Sequence, residues 1–441
     1  MESHAGEVRV APAAPAPVPA SGRRRPNLDE LFRSSLFLGV IGFGGGLSVL
    51  ASIESHVVTR KRWLTDREFS NAVTVSQMLP GGAAANAIAY IGLRFGGWRG
   101  ALLGYSGFCL PGLLAVLALG WAYTRFGTTP NADVVLGGFN AAVVGIIASI
   151  TLKMVRTSVS RLWQMGVAAV ALLFSAIGNA PPGEIVLGAI AVGLAVDLGT
   201  KRARLASVRR RRKSDAEPPV ALPEEGHMLP GDRPEADDSP ERGSSLKSPA
   251  IVALCACVLA ALHVTGVDAN LVRFFLTFFR TGLGAYGGGF AIVPHLKQVI
   301  QARNWITEKE FAEAVAIGKL TPGPVLLLAT FIGYLYKGFL GAMIATLGIF
   351  SAPFLLVVVA GTTLDRLRSR RFVRAGLRGL TPAVLGLMAA ALIALGDTMN
   401  GEAEIGIAVA VALTLSRFPL NPALMLLVGG VFRFLLKMGG L

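Results

Sequence analysis

Charge is scarce in this chain. Only 16% of its 441 residues are Asp, Glu, Lys or Arg, against 53% hydrophobic. A soluble domain carries about 25% charged residues, so a water-soluble enzyme or binding module is excluded as the main body. Cysteine is rarer still, and Cys109, Cys255 and Cys257 lie inside apolar stretches without metal-ligand or disulfide spacing. They read as small packing residues. No GxxxxGK[ST] loop occurs, which removes nucleotide hydrolysis. The five histidines are scattered, His56 and His295 among them. No nucleophile with a base and no cluster of acids appears, so neither an enzyme nor a metal or other cofactor is expected. A leader peptide is missing as well: the apolar segment after Arg23-Arg24-Arg25 is too long for one, and no small-residue cleavage site follows promptly. That places the N-terminus in the cytoplasm.

What is present in abundance is apolar runs of membrane-spanning length. They fall at roughly 31–53, 71–93, 98–124, 133–152, 162–178 and 184–198, then 249–266, then 271–293, 312–336, 338–361, 375–396, 402–416 and 420–436. The net charge of +15 sits in tails and loops between them, the pattern of cytoplasmic loops and not of a nucleic-acid surface. Residues 1–30 read as a disordered tail, 31–198 as a first transmembrane repeat and 199–247 as a disordered linker that opens KRARLASVRRRRK. Residues 248–267 read as a connecting helix and 268–441 as a second repeat.

The halves align by eye. Gly44-Gly45-Gly46 matches Gly287-Gly288-Gly289, WLTDREF from Trp63 matches WITEKEF from Trp305, and Leu79-Pro80-Gly81 matches Thr321-Pro322-Gly323. Ile91-Gly92 matches Ile332-Gly333, Gly100-Ala101 matches Gly341-Ala342, and Pro111 matches Pro353. If every window crosses once, the linker and the basic loop Arg366–Arg378 fall inside, and the 249–266 window inverts the second repeat. The expectation is an all-α polytopic membrane protein of about 13 transmembrane helices in two inverted-topology repeats with broken helices at the midplane. Arg60-Lys61-Arg62 would then lie outside, against the positive-inside rule. Making the 71–93 window and its counterpart re-entrant instead would expel the linker.

Pro80-Gly81-Gly82 and Pro322-Gly323-Pro324 each interrupt the middle of a window. Proline removes a backbone donor and suits the first turn of a restarting helix. Freed amides near Ala83–Ala85 and Val325–Leu327 would then face a cavity. Two helix N-termini, each about +0.5 of a charge, form an anion site when they face one another. A single such motif reads more simply as a packing kink; its recurrence in both repeats favours the site. Gly44, Gly45, Gly46, Gly287, Gly288 and Gly289 admit close approach of a substrate or of another helix.

Arg280 and Lys319 are charges within windows, which are costly unless they line a cavity or find a partner. Glu313 is a candidate partner for Arg280 and the candidate proton-coupling residue. Phe37 and Gln77 stand at the matching positions of the first repeat, so the site is expected to be asymmetric. Asn86, Gln77, Tyr286 and Thr321 are the neutral hydrogen-bonding candidates. Thr65-x-x-Glu68 and Thr307-x-x-Glu310 read as capping boxes, not catalytic acids, with Trp63 and Trp305 in an interfacial belt.

The stretches GAYGGGFAIVPHL, NWITEKEF and KLTPGPVLLLATFIGYLYKGFLGAMIATLGIFSAPF resemble the chromate ion transporter family, in its long form of two homologous halves. The resemblance runs over 31–436 apart from the linker. The first half keeps WLTDREF and QMLPG, and departs from the family pattern at Gly82 and at Gly46-Leu47. It implies a secondary active transporter that exports chromate across the bacterial cytoplasmic membrane, driven by membrane potential or proton gradient. A sulfate or other oxyanion transporter and an anion channel are the alternatives. The expected partners are the oxyanion and the lipid bilayer, with no nucleic acid and a homodimer left open.

Overall fold

The computed structural model describes residues 25–43, 46–127, 129–158, 161–178, 180–214, 269–367, 371–399, 401–418 and 420–439. Residues 1–24 of the expected disordered tail, most of the linker, the 249–266 window, Cys255, Cys257, Gly44 and Gly45 lie outside them, while Leu28, Asp29 and Glu30 of that tail are helical because Asn27 caps the helix that begins there. Every described element is helical. In the first half α1 (Leu28–Ile41), α2 (Gly46–Glu54, continued by a π-helical turn Ser55–Arg60) and α3 (Asp66–Met78) precede the long α4 (Ala83–Phe126). Then come α5 (Pro130–Ser158), α6 (Leu162–Ala176) and α7 (Pro182–Ser214). The second half repeats the order with α8 (Ala269–Leu283), a 3-10 turn Gly287–Ile292, α9 (Val293–Arg303) and α10 (Glu308–Leu320). A 3-10 turn Val325–Leu327 leads into the long α11 (Leu328–Leu367), then α12 (Arg371–Gly396), α13 (Glu402–Arg417) and α14 (Pro422–Met438). Within α4, α5, α7, α11 and α12 lie five stretches long and apolar enough to cross a membrane.

Both capping boxes are present. The Thr65 hydroxyl accepts from the Glu68 amide and the Glu68 carboxylate accepts from the Thr65 amide; Thr307 and Glu310 do the same for α10. Thr65→Ala and Thr307→Ala should each cost about 1 kcal/mol, read as a lower midpoint of thermal unfolding in detergent.

The helices entering and leaving the breaks are too short to cross. α1 and α3 have 14 and 13 residues, about 20 Å at 1.5 Å per residue, where a spanning helix needs about 20 residues. They double back instead. Lys61, just after α2, pairs at 2.9 Å with Glu30 at the start of α1. Arg94, late in the first arm of α4, reaches Glu68 at the start of α3 at 3.4 Å. Trp63 is buried at that shared mouth, its ring 6.3 Å from Phe95. In the second half the mouth is an aromatic cluster, with Trp305 4.6 Å from Phe274 and 5.6 Å from Tyr336 between ring centroids.

These contacts correct one expectation. The 31–53, 71–93, 271–293 and 312–336 windows do not each pass once through the bundle; each is a helical hairpin whose tip is the Gly- or Pro-containing break. The tryptophans expected in an interfacial belt, Trp63 buried and Trp305 half-buried, pack at these mouths and tie the hairpin ends together.

A further reversal lies inside α4 at Gly96-Gly97 and inside α11 at Lys337-Gly338, where Gly97 and Gly338 have φ of +60° and +59°. The helix arms on either side run back along one another. A Cβ on Gly92 would collide with the Gly100 carbonyl, and one on Gly333 with the Gly341 carbonyl, so backbone touches backbone as in close-packed membrane helices. Thr330 and Thr346 share a hydrogen bond of 2.7 Å across the second of these turns.

The halves are interleaved. α5 packs on α13 and α14, and in return α12 packs on α6 and α7. Gly120, near the end of α4, meets Tyr334, close to the Lys337-Gly338 turn; Gly361, near the end of α11, meets Tyr90 in the first arm of α4. Each long helix therefore finishes beside the mouth of the other half's hairpins.

Candidate functional site

The four breaks converge. α3 stops at Leu79, which is extended (φ −98°, ψ 145°), and α10 stops at Thr321 (φ −80°, ψ 149°), because the following prolines cannot extend a helix. Gly81 and Gly323 then take φ of +112° and +99°, a conformation that glycine alone adopts at low cost. The Gly81 amide donates to the Ala285 carbonyl at 2.7 Å, and the Gly323 amide donates to the Gly42 carbonyl at 3.1 Å. Gly81 aligns with Gly323 and Gly42 with Ala285, so each bond is the repeat image of the other. Gly82 faces Pro324, its own counterpart. The restarting helices thus begin beside one another, and their first amides, at Ala83–Ala85 and Val325–Leu326, have no acceptor one helical turn back.

The walls follow the same rule. A Cβ on Gly81 would stand 2.7 Å from Pro353 Cβ, and one on Gly112 would strike the Pro322 carbonyl. Both replacements place Pro111-Gly112 and Pro353 against the opposite repeat's break. Gly81→Ala should therefore be worse than Gly323→Ala. Both strain φ by about 1–3 kcal/mol, but only the first also meets a proline ring, a difference to be read in thermal unfolding of the purified protein.

Asn86 is fully buried, and its side-chain amide donates to the Pro80 carbonyl at 2.9 Å while its Oδ1 has no hydrogen-bond partner. It holds the first break in shape from within the restarting helix. Lys319, the last charge before the second break, is 8% exposed, with its ammonium 5.4 Å from the Phe290 ring centroid and no carboxylate in ion-pair contact among the described residues. A cation without a counter-charge at this depth is the feature most suited to meeting an anion. Thr321 is buried and bonds back to the Ile317 carbonyl, which spends its hydroxyl locally. Pro80 and Pro324 are buried; Pro322, Tyr286 and Gly287 are half-buried; Gly288 is exposed and Gly289 buried. The run Gly287–Gly289 has positive φ throughout.

Three residues are placed otherwise than their windows suggest. Arg280 is exposed, on the outer side of α8, and it does not pair with Glu313. Glu313 instead accepts a hydrogen bond from the Tyr123 hydroxyl across the repeats. Gln77 is exposed although its counterpart Lys319 is buried. The signal was local: Arg273, Thr277 and Arg280 recur at helical spacing on α8, as Ser70, Thr74 and Gln77 do on α3, and each set marks the polar, outward face of its helix. Gly46 opens α2. Phe290, Tyr123 and Pro353 were missed as contributors, and Tyr123 carries no local signal, being an aromatic near the end of a long apolar run.

The family model described as "Chromate transporter" matches residues 30–194 and 272–434, the two halves without the linker. The chain belongs to this family. Among its relatives, the "Probable chromate transport protein" of Synechococcus elongatus is 29% identical over 372 residues, covering 84% of this chain and 85% of that one. The "Chromate transport protein" of Cupriavidus metallidurans is 30% identical over 372 residues, covering 83% and 82%. The "Chromate transport protein" of Pseudomonas aeruginosa is 26% identical over 373 residues, covering 83% and 81%. No solved structure matches the chain. Membership in a transporter family, together with the apolar helices, makes this a multi-pass membrane protein and no member of an enzyme family.

Proposed function

We propose that the protein exports chromate across the cytoplasmic membrane as a secondary active transporter, driven by membrane potential or proton gradient. The observation that carries this reading is the meeting of two Pro-Gly breaks, Gly82 against Pro324, beside the uncompensated cation Lys319. The facing helix N-termini supply backbone donors and positive dipole ends to an oxyanion, and Lys319 supplies a full charge. The site is then built mainly by the second repeat, with Pro322, Gly323, Pro324, Thr321 and the Gly287–Gly289 run opposite Pro80, Gly81, Gly82 and Asn86. Alternating access follows from rocking one repeat against the other about the converging breaks.

The topology proposed with it has inverted repeats and nine crossings, because four of the thirteen windows are hairpins. Two hairpins per repeat preserve parity. Arg60-Lys61-Arg62, the basic end of α7 and the Arg366–Arg378 loop then share the cytoplasmic end, as the positive-inside rule requires. In a background lacking the native cysteines, Arg60→Cys should react with an impermeant maleimide only in inside-out vesicles, and Glu402→Cys only in right-side-out ones. The same sidedness for both would sink the inverted arrangement.

The transport reading is tested by radiolabelled chromate uptake into inverted membrane vesicles. Uptake should be saturable and abolished by a protonophore, and excess sulfate measures selectivity among tetrahedral dianions. No uptake above empty vesicles, with the protein inserted, would refute it.

A further inference from the structure

At the end of the bundle opposite Arg60-Lys61-Arg62, a cavity of about 270 Å³ lies between α5, α10, α13 and the end of α12. Its walls are acidic, with Asp133, Glu308, Asp397 and Glu404 around a single lysine, Lys309, which is held by Asp133 at 2.8 Å. Glu308 is drawn aside to Lys297 at 3.2 Å. At its inner side is Glu313, one helical turn deeper than Lys309 and only 3% exposed. Asn140 also lines the cavity. It is 4% exposed, its Nδ2 donates to Thr398 at 2.9 Å, and its Oδ1 is buried without a partner.

We propose that this cavity is a proton entry and that Glu313 is the group that takes the proton up, coupling its passage to that of the anion. The inference rests on the transport reading above and adds the coupling ion, its binding residue and its route. An acidic vestibule repels a dianion, so the cavity is not the anion's own path, and it concentrates protons. Ionisable side chains at membrane depth mark proton relays when they line a cavity. The groups facing Glu313 are Tyr123 from α4, Asp133 from α5, Lys309 and Glu310 from its own helix, and Asp397 and Glu404 across the cavity. Lys309, the one cation among them, is ion-paired with Asp133 at 2.8 Å and makes no ion-pair contact with Glu313 among the described residues. The unpartnered Asn140 oxygen is placed to accept a hydrogen bond from a water or hydronium ion on the way in.

The link to the anion site is mechanical. Glu313 and Lys319 sit on the same short helix, α10, which ends at the Pro322-Gly323 break. The Tyr123 hydroxyl ties that helix to the α4 arm carrying Gly112, which itself touches Pro322. A proton added to the carboxylate removes the charge that receives the Tyr123 bond, which loosens α10 from α4. Proton loss to the other side restores the tie.

The test uses the purified full chain in liposomes containing a trapped pH-sensitive dye, with chromate binding measured separately at equilibrium. In the wild type, an imposed chromate gradient should drive proton movement. Glu313→Gln should retain chromate binding while its proton signal falls to that of empty liposomes. Tyr123→Phe keeps the carboxylate and should lower the protons moved per chromate, so it decides the matter if Glu313→Gln does not fold. A wild-type proton-to-chromate ratio in either variant would overturn the proposal. So would chromate flux with no proton movement, which leaves transport driven by membrane potential standing, and flux that follows sodium and not pH, which leaves chromate transport standing but not its proposed driving force. A wild type that neither binds nor moves chromate would defeat both.

Discussion

Lys319→Met should reduce chromate transport by about a hundredfold or more, the counterpart of roughly 3 kcal/mol of lost interaction with the anion. The side chain is 8% exposed, its ammonium lies over the Phe290 ring, and it has no ion-pair partner among the described residues. Keeping a charge there costs about 2.5–3.5 kcal/mol even on the lenient insertion scale. Methionine preserves the length and apolar stem, so the variant should insert and purify at least as well as the wild type. Initial uptake rates in inverted vesicles, normalised to protein in the membrane, provide the measurement. Transport within about threefold of wild type would remove Lys319 from the anion site. Arg280→Ala makes the contrast: because Arg280 is exposed, its loss should have much the smaller effect.

Gly92→Val should prevent the protein from accumulating in folded form. The two arms of α4 lie so close that a Cβ at residue 92 meets the Gly100 carbonyl and carbon, both backbone atoms that cannot swing aside. Overpacking costs about 1–3 kcal/mol where side chains can adjust, and here the arms must separate instead. Separation would displace Gly104 from Ile88 as well and open the hairpin along its length. Gly166→Val supplies the control, since no atom lies within 4 Å of the position a Cβ would take. Size-exclusion chromatography after detergent extraction should show a monodisperse peak for Gly166→Val and little or none for Gly92→Val. Equal peaks would mean that the arms are not in backbone contact.

Neither result depends on which oxyanion is carried, but both depend on geometry that the linear order conceals. Hydropathy reports how many apolar residues run together, and two 13-residue arms joined by Pro-Gly score like one spanning helix of the same total length. Hairpins therefore passed for crossings. Because the hairpins are even in number within each repeat, reading them as crossings leaves the linker's proposed side unchanged and moves only Arg60-Lys61-Arg62.

By itself the sequence determined the membrane class, the two repeats, the positions of the breaks and the capping boxes. Each of these is a local signal: a run of apolar residues, a proline without an N–H, a threonine three residues from a glutamate. It also carried the family, through motifs that surround those breaks. Only the tertiary structure decided that the windows fold back, that Gly82 meets Pro324 and that Lys319 is buried. It alone joined Glu313 to Tyr123, 190 residues away. The physical reason is that helices can mark their own polar faces in sequence, as Arg273, Thr277 and Arg280 do on α8, without naming the distant segments they meet. Their facing residues are chosen by glycine-mediated backbone contact between distant segments, and such contact leaves no pattern in either segment alone.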